Sequence, residues 1–68
     1  MPLNVPEIKR KRERLGITQT EAARRAGFSI QRWNNIEAGR RTAVNPDALF
    51  ALAKALECRM EDLMRRHK

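Results

Sequence analysis

The 68-residue sequence has no tyrosine, one tryptophan and two phenylalanines, and its lone cysteine, Cys58, excludes an intrachain disulfide. The only histidine, His67, lies in a basic tail remote from Cys58, so no metal-ligand cluster can be assembled, and His67 reads as a solvated residue. None of the three glycines builds a phosphate-cradling loop, and no nucleophile stands beside a base. The chain is therefore not expected to be an enzyme or to need a cofactor or metal. No run approaches the apolar length of a signal peptide or membrane span, which predicts a soluble, cytoplasmic protein with no membrane partner. At this length the expectation is a single domain over residues 1–68, with a lead-in at 1–4, a basic tail at 66–68, and one modest core. Burial in so small a core leaves only a small surplus over conformational entropy.

Acidic residues are scarce too. Eight Asp and Glu face fifteen Lys and Arg, a net charge of +7. The excess is localised: residues 9–41 contain Lys9, Arg10, Lys11, Arg12, Arg14, Arg24, Arg25, Arg32, Arg40 and Arg41 against only Glu13, Glu21 and Glu37. Beyond them, Lys54, Arg59, Arg65, Arg66 and Lys68 are nearly balanced by Asp47, Glu57, Glu61 and Asp62. A basic field of this kind suits attraction to nucleic-acid phosphates, although a merely solvated cationic face has the same composition.

The most informative stretch is 19–36, QTEAARRAGFSIQRWNNI, which fits two short helices joined by one tight turn. Ala22, Ala26, Phe28, Trp33 and Ile36 supply the apolar positions. Small residues at Ala22, Ala23 and Gly27 allow two backbones to cross closely, and a branched side chain at Ala23 would push them apart. Gly27 stands where the first pattern stops, and glycine adopts the left-handed helix-ending conformation without steric cost. This is the layout of a helix-turn-helix, whose second helix stands out to enter a DNA major groove while the first lies across it. The same spacing also suits any helical hairpin with small residues at its contact.

Capping chemistry places the helix starts independently. Thr18 with Glu21, and Asn4 with Glu7, offer capping boxes; Ser29 can cap the next helix; Asn45 precedes Pro46 and Asp47, with proline in the first turn. A start near Arg59 rests on Glu61 and Asp62 at the positive end of a helix dipole. The predicted architecture is all-α, a compact bundle of five short helices over Val5–Leu15, Gln19–Ala26, Ile30–Glu37, 46–56 and 60–65. The expected core is Ile8, Leu15, Ile17, Ala22, Ala26, Phe28, Trp33, Ile36, Leu49, Leu52, Leu56 and Leu63. Within it, Leu49, Leu52, Ala53 and Leu56 form one stripe of the fourth helix.

The run RERLGITQTEAARRAGFSIQRWNNIEAGRR followed by NPDALFALAKALECRMEDLM resembles the lambda-repressor-like DNA-binding domain of phage repressors and Cro over residues 5–64. Its most specific pieces are Leu15-Gly16-Ile17-Thr18-Gln19, the Ala23 and Gly27 pair, Ile36-Glu37-Ala38-Gly39, and Leu52-Ala53-Lys54-Ala55-Leu56. The resemblance implies that Ser29, Ile30, Gln31, Asn34 and Asn35 approach base edges. Gln31 and Asn35 would be the principal readers, because a carboxamide matches the N6 and N7 groups of adenine. Ile30 departs from the polar residue often found there; it can meet a thymine methyl, close the edge of the core, or touch a protein partner.

Thr18, Gln19, Arg32, Arg40, Arg41, Arg10 and Lys11 are implied phosphate contacts, with Gln19 also bracing a side chain of the reading helix. Arg12 and Glu37 are implied to form a buried ion pair. Members of this family usually form two-fold dimers with reading helices about 34 Å apart. Cys58, Met60 and Met64 are the candidate dimer interface, although methionines there also serve as core filler. Glu57 and Arg59 stand where a glycine and a better cap are expected.

Two functions follow. The favoured one is a sequence-specific transcriptional regulator, repressor-like and nucleoid-associated, that binds a palindromic operator in double-stranded DNA as a homodimer. The alternative is an antitoxin or similar protein-interaction module with autoregulatory DNA binding. The short chain beyond the last predicted helix favours the regulator.

Overall fold

The computed structural model describes residues 2–41 and 43–64. Four α-helices follow in order: α1 (Val5–Leu15), α2 (Gln19–Ala26), α3 (Ile30–Glu37) and α4 (Pro46–Ala55), and then a 3-10 turn over Met60–Leu63. His67, expected to be solvated, and the basic tail at 66–68 lie outside the described residues.

Local chemistry sets most of the boundaries. Thr18 Oγ1 accepts from the Glu21 N–H at 3.1 Å, Ser29 Oγ from Arg32 N–H at 3.1 Å, and Asn45 Oδ1 from Ala48 N–H at 2.8 Å. Each bond satisfies one of the donors that a helix leaves orphaned at its start. The Asn4 capping box does not form. Asn4 makes no side-chain cap bond, and the Glu7 carboxylate turns instead to Arg10 and Lys11, whose charges attract it more strongly than a backbone N–H.

The expected fifth helix is also corrected. Only four residues wind, as a 3-10 turn, and the fourth helix ends at Ala55 rather than Leu56. The reason lies in the lead-in: the Asn4 N–H takes the Leu63 carbonyl at 2.8 Å, and Leu3 bridges Met64 in extended pairing, so Met64 is not helical; residue 65 lies outside the described residues. Pro2 makes a second isolated bridge to Ala43. Leu3 is thereby buried, a core residue that residue periodicity does not reveal in a non-helical segment. Within the turn Asp62 accepts from the N–H of the preceding Arg59 at 3.2 Å; that bond holds its carboxyl below the usual value.

The core joins Ile8, Ala22, Ala23, Trp33, Ile36, Leu49, Leu52, Leu56 and Leu63 with Leu3, Val44, Ala48, Ala53 and Ala55. α4 touches both α2 and the 3-10 turn, so its buried face is wider than the single stripe expected. Ile17, Ala26 and Phe28 are half-buried against this core. Leu15 is also only partly buried, facing an open groove with Lys11, Arg14, Lys54, Leu56 and Cys58. Among the described residues no helix is long and apolar enough to cross a membrane.

After α4 the chain turns through Glu57, the one described non-glycine residue with positive φ, at 55°. An L-residue there carries a steric cost of about 1 kcal/mol that glycine avoids. Glu57 lies against Arg25 at 3.2 Å, an exposed pair that contributes little. Glu57→Gly is accordingly expected to raise stability by about 0.5 to 1 kcal/mol, read as a higher thermal midpoint. A lower midpoint would show that the ion pair outweighs the backbone relief.

Candidate nucleic-acid interface

α2 packs against both α3 and α4, and its Ala22 and Ala23 are essentially inaccessible within that packing. Gly27 takes φ 75°, and the reversal is closed by hydrogen bonds from Phe28 N–H to the Ala23 carbonyl at 2.8 Å and from Gly27 N–H to Arg24 at 3.2 Å. Phe28 then turns back onto the core beside Trp33, ring centroids 6.5 Å apart. On α3, Trp33 and Ile36 are fully buried, three residues apart on one face. Helical periodicity turns other residues of the segment outward: Ser29, Ile30, Gln31 and Asn34 are exposed, and Asn35 is half-exposed at the margin.

The expected site residues are not equivalent in this setting. Gln31 and Asn34 make no side-chain bond to other described residues, so their carboxamides keep both donor and acceptor. Ser29 spends an acceptor on its cap but retains its O–H. Ile30 is 41% exposed and is not among the apolar side chains packed against the core, so it does not close the core edge. Asn35 is engaged: Arg40 Nη1 donates to its Oδ1 at 2.9 Å. Thr18 is exposed, with its hydroxyl oxygen on the α2 cap.

Some of the cations are paired on their own helix and others are not. Arg10 and Lys11 share the Glu7 carboxylate, and Arg24 and Arg25 share Glu21, whose carboxyl is lowered to about 2 first by the Arg24 hydrogen bond and then by that of Arg25. Arg32, Arg40 and Arg41, around α3, have no carboxylate partner among the described residues. The Arg32 guanidinium lies 4.0 Å over the Phe28 ring, which fixes its direction without neutralising it. Lys9 and Arg14 on α1 and Lys54 on α4 likewise have no carboxylate partner among the described residues, so the three arginines around α3 are about half of the unpaired cations.

Behind α3 lies a polar joint that holds the helix to the rest of the fold. Arg12 Nε donates to Glu37 Oε2 at 2.7 Å and Arg12 Nη2 to Oε1 at 3.2 Å, while Arg12 Nη1 reaches the Ile17 carbonyl at 2.9 Å. Gln19 Nε2 donates to Glu37 Oε1 at 3.1 Å, and Trp33 Nε1 donates to Oε2. One carboxylate thus ties α1, the start of α2 and two turns of α3 together, with its side chain only 4% exposed. Burial pushes the Glu37 carboxyl upward, but the bonds from Arg12, Trp33 and Gln19 outweigh it and hold the carboxyl below its ordinary value. The Trp33 contribution is absent from the sequence reading, which takes Trp33 as purely apolar. Its spacing of four from Glu37 on one helix is the signal that reveals it.

Cys58, Met60 and Met64 are half-buried against the core of their own chain, so each offers only part of its surface to another molecule. Burial raises the Cys58 thiol. Phe50, on α4, is 59% exposed and was not among the expected contact residues. It falls outside the stripe that defines the buried face, so its exposure follows from the helix period, but nothing in the pattern marks it for a role.

A family model for the helix-turn-helix of Cro and CI type matches residues 8–63. No curated protein and no solved structure is significantly similar to the chain.

Proposed function

The chain belongs to this helix-turn-helix family of DNA-binding transcription regulators, and from that premise we propose that it binds a palindromic operator as a homodimer, acting as a repressor-like regulator. The observation that carries the reading is the outward face of α3. Gln31 and Asn34 present unspent carboxamides there, flanked by Arg32, Arg40 and Arg41 without carboxylate partners. Side chains that both donate and accept are suited to base edges, and the flanking Arg32 and Arg41 to phosphates. Thr18 and Gln19 at the start of α2 add phosphate contacts, and Arg10 and Lys11 contribute less because Glu7 offsets them.

A single α3 reads few base pairs, so two copies related by a two-fold axis supply the length of a specific site. Cys58, Met60 and Met64, partly exposed at and around the 3-10 turn, are the proposed contact between copies. Selection of bound sequences from a random duplex pool at moderate salt is the test. An inverted repeat with half-site centres about one helical turn apart is expected. Binding that shows no enriched sequence and only falls steeply with salt would leave the phosphate term alone and end the proposal.

A further inference from the structure

We infer that Asn35 and Arg40 form one base-reading unit, selecting a keto base, guanine or thymine, over an amino base, adenine or cytosine. The inference rests on the DNA-reading role proposed for α3. A free asparagine reads adenine by accepting from N6 through Oδ1 while donating to N7. Here Oδ1 already accepts from Arg40 Nη1 at 2.9 Å, and the Arg40 backbone N–H returns to the Asn35 carbonyl at 3.1 Å, so the arginine is tied to the same residue twice. Asn35 is half-buried, which limits its freedom to swing away, while Arg40 is exposed.

One lone pair of Oδ1 remains, but the guanidinium beside it adds further N–H groups to that edge. The combined surface is therefore rich in donors. Guanine O6 and thymine O4 accept from it, whereas the N6 group of adenine and the N4 group of cytosine present hydrogens to hydrogens. Gln31, whose carboxamide has no such partner, keeps the adenine-type pattern. Two carboxamides on one helix thus acquire different base preferences from their neighbours rather than from their own chemistry.

Selection from the random duplex pool, run at one salt concentration on the unaltered chain and on Asn35→Ala, Arg40→Ala, Arg40→Met and Arg41→Ala, tests this. The position whose preference collapses in Asn35→Ala identifies the base concerned. In the unaltered chain it is expected to be guanine or thymine, and in both Arg40 variants to move toward adenine by about tenfold in relative affinity. Arg41→Ala is expected to weaken all sequences alike and leave the ranking intact. Adenine or cytosine at that position in the unaltered chain would overturn the inference. So would Arg40 variants that keep the thermal midpoint and the base ranking and merely bind everything more weakly. An unaltered chain that enriches no sequence would instead bring down the DNA-reading proposal on which this one stands.

Discussion

Arg12→Ala is expected to lower folding stability by about 3 to 5 kcal/mol, whereas Arg14→Ala, two residues further along α1, changes it by no more than about 0.5 kcal/mol. The two arginines share a helix and a charge but not an environment. Arg14 is exposed and has no carboxylate partner among the described residues. Arg12 is 13% exposed in its side chain and makes two bonds to Glu37 and one to the Ile17 carbonyl. Removing it strands a carboxylate that is nearly inaccessible to water, and the loss reflects that uncompensated charge more than the worth of the pair itself. Small domains have only about 5 to 15 kcal/mol in hand, so the variant should melt far below the parent. Equal melting temperatures for the Arg12 and Arg14 variants would show that the joint contributes nothing.

The same joint sets a pH dependence. The Glu37 carboxyl ionises below its ordinary value of 4.5 in the folded chain, so as pH falls the unfolded chain takes up the proton first. The stability Glu37 contributes is complete above that ordinary value and is lost as pH drops through the folded one. Melting temperature should therefore fall on acidification through this range. In Glu37→Gln that part of the decline should vanish, at the cost of a lower midpoint at neutral pH.

Gln31→Ala is expected to cost about 1 to 3 kcal/mol on the preferred operator, a loss on the order of ten- to a hundredfold in affinity, while leaving binding to random duplex nearly unchanged. Gln31 is exposed, lies on the face of α3 opposite Trp33 and Ile36, and carries no folded-state bond whose removal would disturb the protein. Truncation deletes base recognition without deleting charge. Arg41→Ala should do the reverse and weaken operator and random duplex in the same proportion, with a shallower salt slope. Fluorescence anisotropy on both duplexes at fixed salt separates the two. A Gln31 variant that loses equally on both would make Gln31 a backbone contact.

The three helices that build the site were legible because their limits are local events. Thr18 and Ser29 cap from within their own turns, Gly27 reverses the chain through its own φ, and Trp33 and Ile36 define a face by spacing alone. The end of the chain was less legible because its conformation is decided by residues far away in sequence. Met64 is extended because Leu3 and Asn4 lie beside it, and no propensity within 60–65 records that. The failed cap at Asn4 has a comparable origin, since Glu7 had two uses and the arginine and lysine on its own helix took precedence.

The sequence by itself determined that the chain is helical, where the turn between α2 and α3 falls, and that its positive charge gathers around them, since periodicity, capping and charge are properties of neighbouring residues. Only the tertiary structure decided which of those charges stay uncompensated and which carboxamides stay free. Glu7 and Glu21 each hold two cations of their own helix, Glu37 gathers donors from three helices, and Arg40 closes on Asn35 across the end of α3. Pairs three or four residues apart on one helix follow from its period, but bonds between separate elements are settled by distances of a few ångströms in space that separation along the chain does not encode.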